Sequence, residues 1–478
     1  MTATSPKEAA ATPAPATRPA RVPRRAPTDL PFTFADRELA ARLASERGEP
    51  TWLRDLRLEL AAAFEAQPIE PNTLYTPYID LRTAELFEAR PWITTEAATS
   101  RDGDRGGLPD GVDGIIELRD DRVPVLALST AAREAGVVVE TFGAALARDE
   151  VAFRSRLAAF AADLPVDDKL ARLAEGFWSQ GVVVDVPNGV RLEHPILIRW
   201  ALGEPGRVLL SRTLVSLGEA AHAALVEELV PAVAAAGTTV QSLFHGTTEV
   251  SLSSEARLEV ASIQDLAPSQ VCFQHRTARI GEGAQLHWAL AQLGSRLTRS
   301  RIDNRLEGDR SDVEQVEIVF GSDDQLFDLT SYTVHIGRDT TGNLLAKGAL
   351  LDRARSYMKG LSTIEKSAVG TDSFLGEFGM NLSRSARAVA IPSLEIDQPD
   401  CRRAAHSSSV GPIDPAQLFY LETRGIPPDE ARKFVVLGFL EPVVARVPHE
   451  ATQERLRALL DAKWDAGLQA ADAAGAAA

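Results

Sequence analysis

From Gly181 to about residue 411 the chain is a succession of short runs rich in β-branched residues, and this limits its fold more than any other feature. VVVDVPNGVRL, PILIRWAL and RVLLSRTLVSL come first, broken by Asn-Gly, Pro and Gly-Glu-Pro-Gly. EVSLSS, ARLEVASIQ, QVCFQHRTARI, AQLHWALAQL, VEQVEIVFG, QLFDLTSYTVHI and RSYMKGLSTIE follow, with small or polar residues where the chain would turn. A helical pattern around Ala220 to Ala236 interrupts them. Nearly two hundred residues of this kind can build a sandwich, a barrel or a right-handed β-solenoid. The short spacing, the Thr, Ser, Arg and Gln at inward positions, and the lack of Asn-Gly turns after residue 190 favour the solenoid without excluding the others.

A chain of 478 residues exceeds the usual limit of one compact core, so it forms several domains or one elongated solenoid. Its net charge of −16 argues against nucleic-acid and anionic-membrane surfaces, which repel it at long range. No apolar stretch reaches the roughly 18 residues that cross a bilayer, and no apolar signal core opens the chain, so the expected location is the cytoplasm. Two cysteines cannot provide the four thiolates of a stably held cluster, so any metal site borrows ligands.

Residues 1–30, dominated by Ala, Pro, Thr and Arg, are expected to be a disordered tail. Residues 31–180 are expected to be mostly helical. Leu53, Leu56, Leu60 and Phe64 recur at helical spacing before Pro68, and a long helical region runs from about Thr130 to Ser179. RDGDRGGLPDGVDG, from Arg101 to Gly114, reads as an exposed loop between them. The β core is assigned to 181–411 and a helical region to 412–478.

Residues 401–447 carry the clearest local signals. Asp414 is an N-cap with Pro415 at the first helical position and Gln417 three residues on, and Gly425 gives a left-handed stop. Pro427 and Pro428 open a second helix, whose Ala431, Phe434, Val435, Gly438 and Phe439 are expected on one face. A third helix spans about Thr452 to Leu468. Ahead of this hairpin, Cys401 and His406 lie in a polar run read as a loop after the last strands. On residue type alone, His406 is a candidate iron ligand or a structural histidine, and Cys401 a site thiol or an ordinary free one.

This stretch resembles the C-terminal signature of the SufB/SufD family of iron–sulfur cluster assembly proteins. In that signature a His followed by small residues leads into Asp-x-x-Gln-Leu-Phe-Tyr-Leu-x-x-Arg-Gly-Ile. The match here is His406, Asp414, Gln417, Leu418, Phe419, Tyr420, Leu421, Arg424, Gly425 and Ile426. GEPTWLRDLRLEL around Trp52, GFWSQGVVVDVPNGVRLEHPI around Trp178 and KGALLDRARSYMKG between Lys347 and Gly360 extend it over nearly the whole chain from about residue 45.

The resemblance implies a right-handed parallel β-helix flanked by N-terminal and C-terminal helical parts. It also implies a scaffold subunit, not an enzyme, that supports de novo cluster assembly and iron acquisition. Its implied partners are a SufB-type scaffold and a SufC-type ABC ATPase, with homodimerisation open for the isolated chain. ATPase docking is implied at Leu418, Phe419, Tyr420, Arg424, Gly425, Phe434, Val435 and Phe439. His406, with Cys401, would stand at the interface where a cluster forms transiently, and any metal held by His406 would be shared with the partner. No cofactor is expected to be bound tightly by this chain alone. Ala404 stands where SufD-type chains often have Cys, and Ser407 where SufB-type chains have Glu, so the SufD branch is preferred and a SufB-like paralogue is the alternative.

The remaining histidines are scattered singly, with His335 noted because a His recurs there in the family. Cys272 reads as a small buried hydrophobe, and His275, three residues on, points to the opposite strand face. There is no GxxxxGK[ST], GxSxG, HExxH or CxxC. A polysaccharide-active β-helix enzyme is the rival of another class, but Asp323 and Asp324 sit in a turn-like GSDDQ rather than in a carboxylate cluster.

Overall fold

The computed structural model describes residues 26, 29–69, 80–93, 107–120, 124–161, 168–231 and 237–476, with side chains described as far as residue 467. The expected tail, apart from its last residues, and the first part of the loop from Arg101 lie outside these. Two ten-stranded sheets run the length of the molecule. One holds β5 (Gln180–Val186), β7 (Arg207–Leu217), β9 (Ser242–Leu252), β11 (Gln270–Ile280), β13 (Leu297–Leu306), β15 (Leu326–His335), β17 (Arg355–Ile364) and β19 (Arg387–Ile396) in that order. The other holds β6 (Ile196–Leu202), β8 (His222–Pro231), β10 (Arg257–Gln264), β12 (Gln285–Gln292), β14 (Asp312–Gly321), β16 (Thr341–Leu350), β18 (Asp372–Asn381) and β20 (Arg403–Gly411). Every neighbouring pair in these two series is parallel, so successive strands alternate between sheets and each full turn adds one strand to both. The expected parallel β-helix is therefore the fold.

Turn geometry repeats with the coil. At one corner Glu255, Gly283, Arg310, Asp339 and Gly370 all take the left-handed conformation, with φ of 58°, 63°, 58°, 55° and 79°. The N–H of each donates to a carbonyl of the next turn: Glu282, Asp309, Arg338, Val369 and Asp400, at 2.7–2.8 Å. Glycine adopts this backbone freely, whereas Arg310 accepts a strain of order 1 kcal/mol to keep the corner in step.

Between the sheets, apolar side chains form the main core, with Trp200 and Trp288 fully buried. Polar layers cross it, as the Thr, Ser, Arg and Gln pattern led one to expect. Arg276 donates to Glu227 at 2.9 Å and Ser262 at 2.8 Å, and Gln264 donates to Thr298 at 2.8 Å. Cys272 is fully buried, and its thiol is pushed far up by burial.

Three local expectations are corrected. Residues 222–231 are the strand β8, not a helix, because HAALVEELVP is held in register between β6 and β10, and burial there outweighs the helix propensity of Ala, Leu and Glu. The region 130–179 is not one helical block. It contains α3 (Thr130–Glu134), β4 (Val138–Thr141), α4 (Phe142–Arg148), α5 (Glu150–Ala161) and α6 (Lys169–Phe177), with β4 antiparallel to β5. Upstream, the short β1 (Arg90–Pro91) pairs with β7, and β2 (Gly114–Arg119) pairs with β6 and with β3 (Val125–Leu128), so the solenoid begins before residue 181.

Helices cover the outer faces. α1 (Arg37–Glu46), α2 (Thr51–Ala66) and α6 pack over the first sheet, where Asp168, the N-cap of α6, accepts from buried Arg299 at 2.5 Å. On the second sheet lie α8 (Pro428–Val444) and α9 (Glu450–Ala476), joined to the last strand through α7 (Pro415–Thr423). α9 continues well past Leu468, where the sequence suggested it would stop.

Candidate functional site

At the C-terminal end of the solenoid β19 and β20 each have a neighbour on one side only. Nothing stacks on that side among the described residues, and Ile396 and Val410 are exposed there. His406 lies inside β20, not in a loop after the strands, and it is exposed. Its run of small polar residues is a strand because β18 pairs with it throughout, from Asp372 with Arg403 to Met380 with Gly411.

The direction His406 faces follows from register. Val260, Trp288, Gln315, Leu344 and Leu375 are aligned across β10, β12, β14, β16 and β18, all buried, and His406 is next in line. The column that fills the solenoid interior thus ends in an imidazole, left open because no further turn covers it among the described residues.

Cys401 is a free, half-buried thiol at the corner before β20, where Gly370 donates to Asp400 and Arg402 to Thr371. Both predicted residues belong to the last turn, but the strand from Arg403 to His406 alone spans about 10 Å. The thiol and the imidazole therefore occupy different parts of the rim.

Glu377 of β18 was not singled out by any sequence signal. It faces inward, is 1% exposed, and accepts from the backbone N–H of Ile391 in β19 at 2.6 Å. Burial pushes its carboxyl up to about 8, against the Ile391 N–H and Lys359, which favour the charged form. His335 has a structural setting: it is buried, lies 2.9 Å from Thr340 Oγ1, and is pushed down to about 4 by desolvation. Among the described residues no group of three or more His, Cys, Asp or Glu is placed to hold a metal ion.

Beside this rim stands the helical hairpin. The Asp414 side chain accepts from the Ala416 N–H at 2.9 Å, and Gly425 has φ 87°, so the predicted start and stop of α7 are where the sequence put them. Phe419, Tyr420 and Phe434 are 68%, 57% and 70% exposed. Arg424 stacks on Tyr420 with its guanidinium carbon 5.2 Å from the ring centre. Leu418, Val435 and Phe439 are half-buried against the outer core, and Lys347 donates to the Phe439 carbonyl at 3.1 Å. The expected single face of α8 is therefore wrong. Ala431, Val436, Leu440, Val443 and Val444 are buried, and Phe434 points to solvent. Apolar residues surround this helix, so spacing alone does not say which side meets the sheet.

No helix among the described residues is long and apolar enough to cross a membrane. Residues 201–439, half of the chain, match the family described as SUF system FeS cluster assembly, SufBD core domain. The chain is 27% identical over 441 residues to the iron-sulfur cluster assembly protein SufD of Bacillus subtilis, covering 90% of this chain and 98% of that one. It is 24% identical over 445 residues to an iron-sulfur cluster assembly SufBD family protein of Staphylococcus epidermidis, covering 90% and 94%. It is also 24% identical over 432 residues to a SufBD family protein of Staphylococcus aureus, covering 88% and 91%. On the parallel solenoid, the His406 rim and these matches together, the chain belongs to the SufBD family of SUF-system iron–sulfur cluster assembly proteins and is most like SufD.

Proposed function

We propose that the chain is a SufD-type scaffold subunit, acting in the cytoplasm, that pairs with a SufB-type β-helix through β19 and β20. In this reading α7 and α8 bind one SufC-type ABC ATPase. The observation that carries it is the open last turn: two strands with free edges and an exposed His406, adjoining a hairpin that shows three large aromatic rings to solvent. Free strand edges favour a partner that continues the sheets, and exposed aromatics favour one that buries them.

In such an assembly the scaffold would work by placement. Nucleotide-driven closure of two ATPase subunits would pull on the paired hairpins and shear the interface at β20, opening His406 and partner ligands to iron and sulfide. The cluster is the cargo, formed transiently between the two scaffolds, and this chain contributes no catalytic step of its own.

Amide hydrogen exchange tests the surfaces. Adding SufB-type and SufC-type partners should slow exchange in 387–411 and 415–444 and leave β9 to β13 unchanged. Unaltered exchange in both segments would overturn the reading.

A further inference from the structure

Most of the large apolar side chains left exposed belong to surfaces already described: Ile396 and Val410 to the rim, and Phe419, Tyr420 and Phe434 to the hairpin. Phe87 and Val240, 50% and 54% exposed, stand elsewhere. Together they line a groove of about 920 Å³ beside the start of β9, shared with Asp80, Arg82, Glu85, Glu88 and Gln241. Gln241 clasps its two walls: its Oε1 accepts from the Glu85 N–H at 2.7 Å and its Nε2 donates to the Thr83 carbonyl at 3.1 Å. Arg82 is paired with Asp80 at 2.6 Å, whereas Glu85 and Glu88 are exposed and enter no ion pair among the described residues. The groove is therefore apolar and net acidic.

The chain's own start fits it. Residues 1–25 lie outside the described residues, and their sequence holds Lys7, Arg18, Arg21, Arg24 and Arg25 against Glu8 alone. The described chain enters beside the groove, where the Pro31 carbonyl accepts from the Leu86 N–H at 2.9 Å, one residue from Phe87. Arg24 stands seven residues before Pro31, which gives it a reach of about 23 Å. Arg18, Arg21 and Arg24 recur every third residue among Pro19, Pro23 and Pro27, so in the polyproline II conformation they share one edge. Guanidinium groups stack on aromatic faces, and extended proline-containing segments dock in aromatic-lined grooves. Tethering holds the local concentration of such a segment on the order of millimolar, so weak contacts suffice. A chain of net charge −16 repels the nucleic acid that a run of arginines would otherwise suggest, and supplies acids for the run instead.

We infer that residues 18–25 cross this groove within the same chain as an extended strap, with arginines over Phe87 and against Glu85 and Glu88. The strap covers the Phe87–Val240 surface. Its docking and the scaffold reading stand independently of each other.

The test uses the full-length chain carrying Arg21→Lys and Arg24→Lys, which keep the charge and add amines. A carbodiimide joins such an amine to a carboxylate it touches: the C–N bond of an amide forms, and the reagent takes up the elements of water to become a urea. Unlabelled and heavy-nitrogen-labelled protein are mixed beforehand, so links within one chain and between chains differ in mass. Links from position 21 or 24 to Glu85 or Glu88 within one chain should exceed those to exposed Glu430 of α8, on the other sheet, by about fivefold or more, and half-molar salt should reduce them about threefold. In the chain with its arginines unchanged, trypsin should cut after Arg21 and Arg24 about fivefold more slowly than in Glu85→Gln with Glu88→Gln, whose exposed positions leave the fold intact. Links spread evenly over Glu88 and Glu430, links found only between chains, or equal cutting with and without the two carboxylates would overturn the proposal.

Discussion

Leu375 and His406 are paired across β18 and β20, so the residue that closes the buried column and the imidazole that opens it to solvent are adjacent rungs of one ladder. Substituting the exposed rung should cost little stability, whereas the buried one is packing. His406→Ala is expected to change unfolding free energy by no more than about 0.5 kcal/mol, and Leu375→Ala to cost about 2–5 kcal/mol. Denaturant melts of the two variants check this. In cells, His406→Ala should leave partner binding intact and impair cluster formation, read from the activity of an iron–sulfur reporter enzyme.

α8 divides its apolar residues between two tasks. Phe434→Asp at an exposed position should leave the melting temperature within about 2 °C of wild type and weaken ATPase binding at least tenfold. Leu440→Asp, which buries an unpaired charge against the second sheet, should destabilise the chain by more than about 3 kcal/mol. A thermal melt with a pull-down on each separates docking from folding.

Asp168 both caps α6 and faces two buried arginines, Arg299 at 2.5 Å and Arg301 at 3.4 Å, whose charges hold its carboxyl far below the usual range despite burial. Asp168→Ala should cost about 3–5 kcal/mol, because it leaves buried cations uncompensated and removes the cap. Asp168→Asn keeps the capping oxygen for the Leu170 and Ala171 N–H groups, but loses the charge and the oxygen that accepts from Arg299 and Arg301. Its loss should be smaller by about 1 kcal/mol, measurable in urea.

Acid should weaken the fold in a defined window. His245 and His335 are both pushed down to about 4, chiefly by desolvation, while in the unfolded chain they titrate near 6.5. The unfolded state therefore takes up protons first. The stability is fully present above about pH 6.5 and is lost as pH falls toward 4, by up to roughly 3 kcal/mol for each histidine. Melts at pH 7 and pH 5 should show this fall, and His335→Asn should reduce it by about half.

The sequence made visible what is local. Pro415, Gly425 and Pro428 mark helix ends by backbone geometry that only those residues satisfy readily, and the strands announce themselves as β-branched runs between turns. Less was visible where a neighbour far along the chain decides. The segment from His222 to Pro231 is helix-prone in isolation and a strand between β6 and β10. The inward aim of His406 comes from pairing with Leu375 at a separation of 31 residues, which no local spacing encodes. The buried side of α8 was missed for a related reason, since its apolar residues surround the helix and the sheet it meets is assembled from β12, β14 and β16.

The most direct measurement of the central claim is native mass spectrometry of the chain co-purified with its SufB-type and SufC-type partners, for wild type and for Phe419→Asp with Phe434→Asp. The account predicts an assembly of one SufB, this chain and two SufC, which loses one ATPase in the variant while the two scaffolds stay paired. A wild-type chain that purifies without an ATPase, or a variant that retains both, would contradict it.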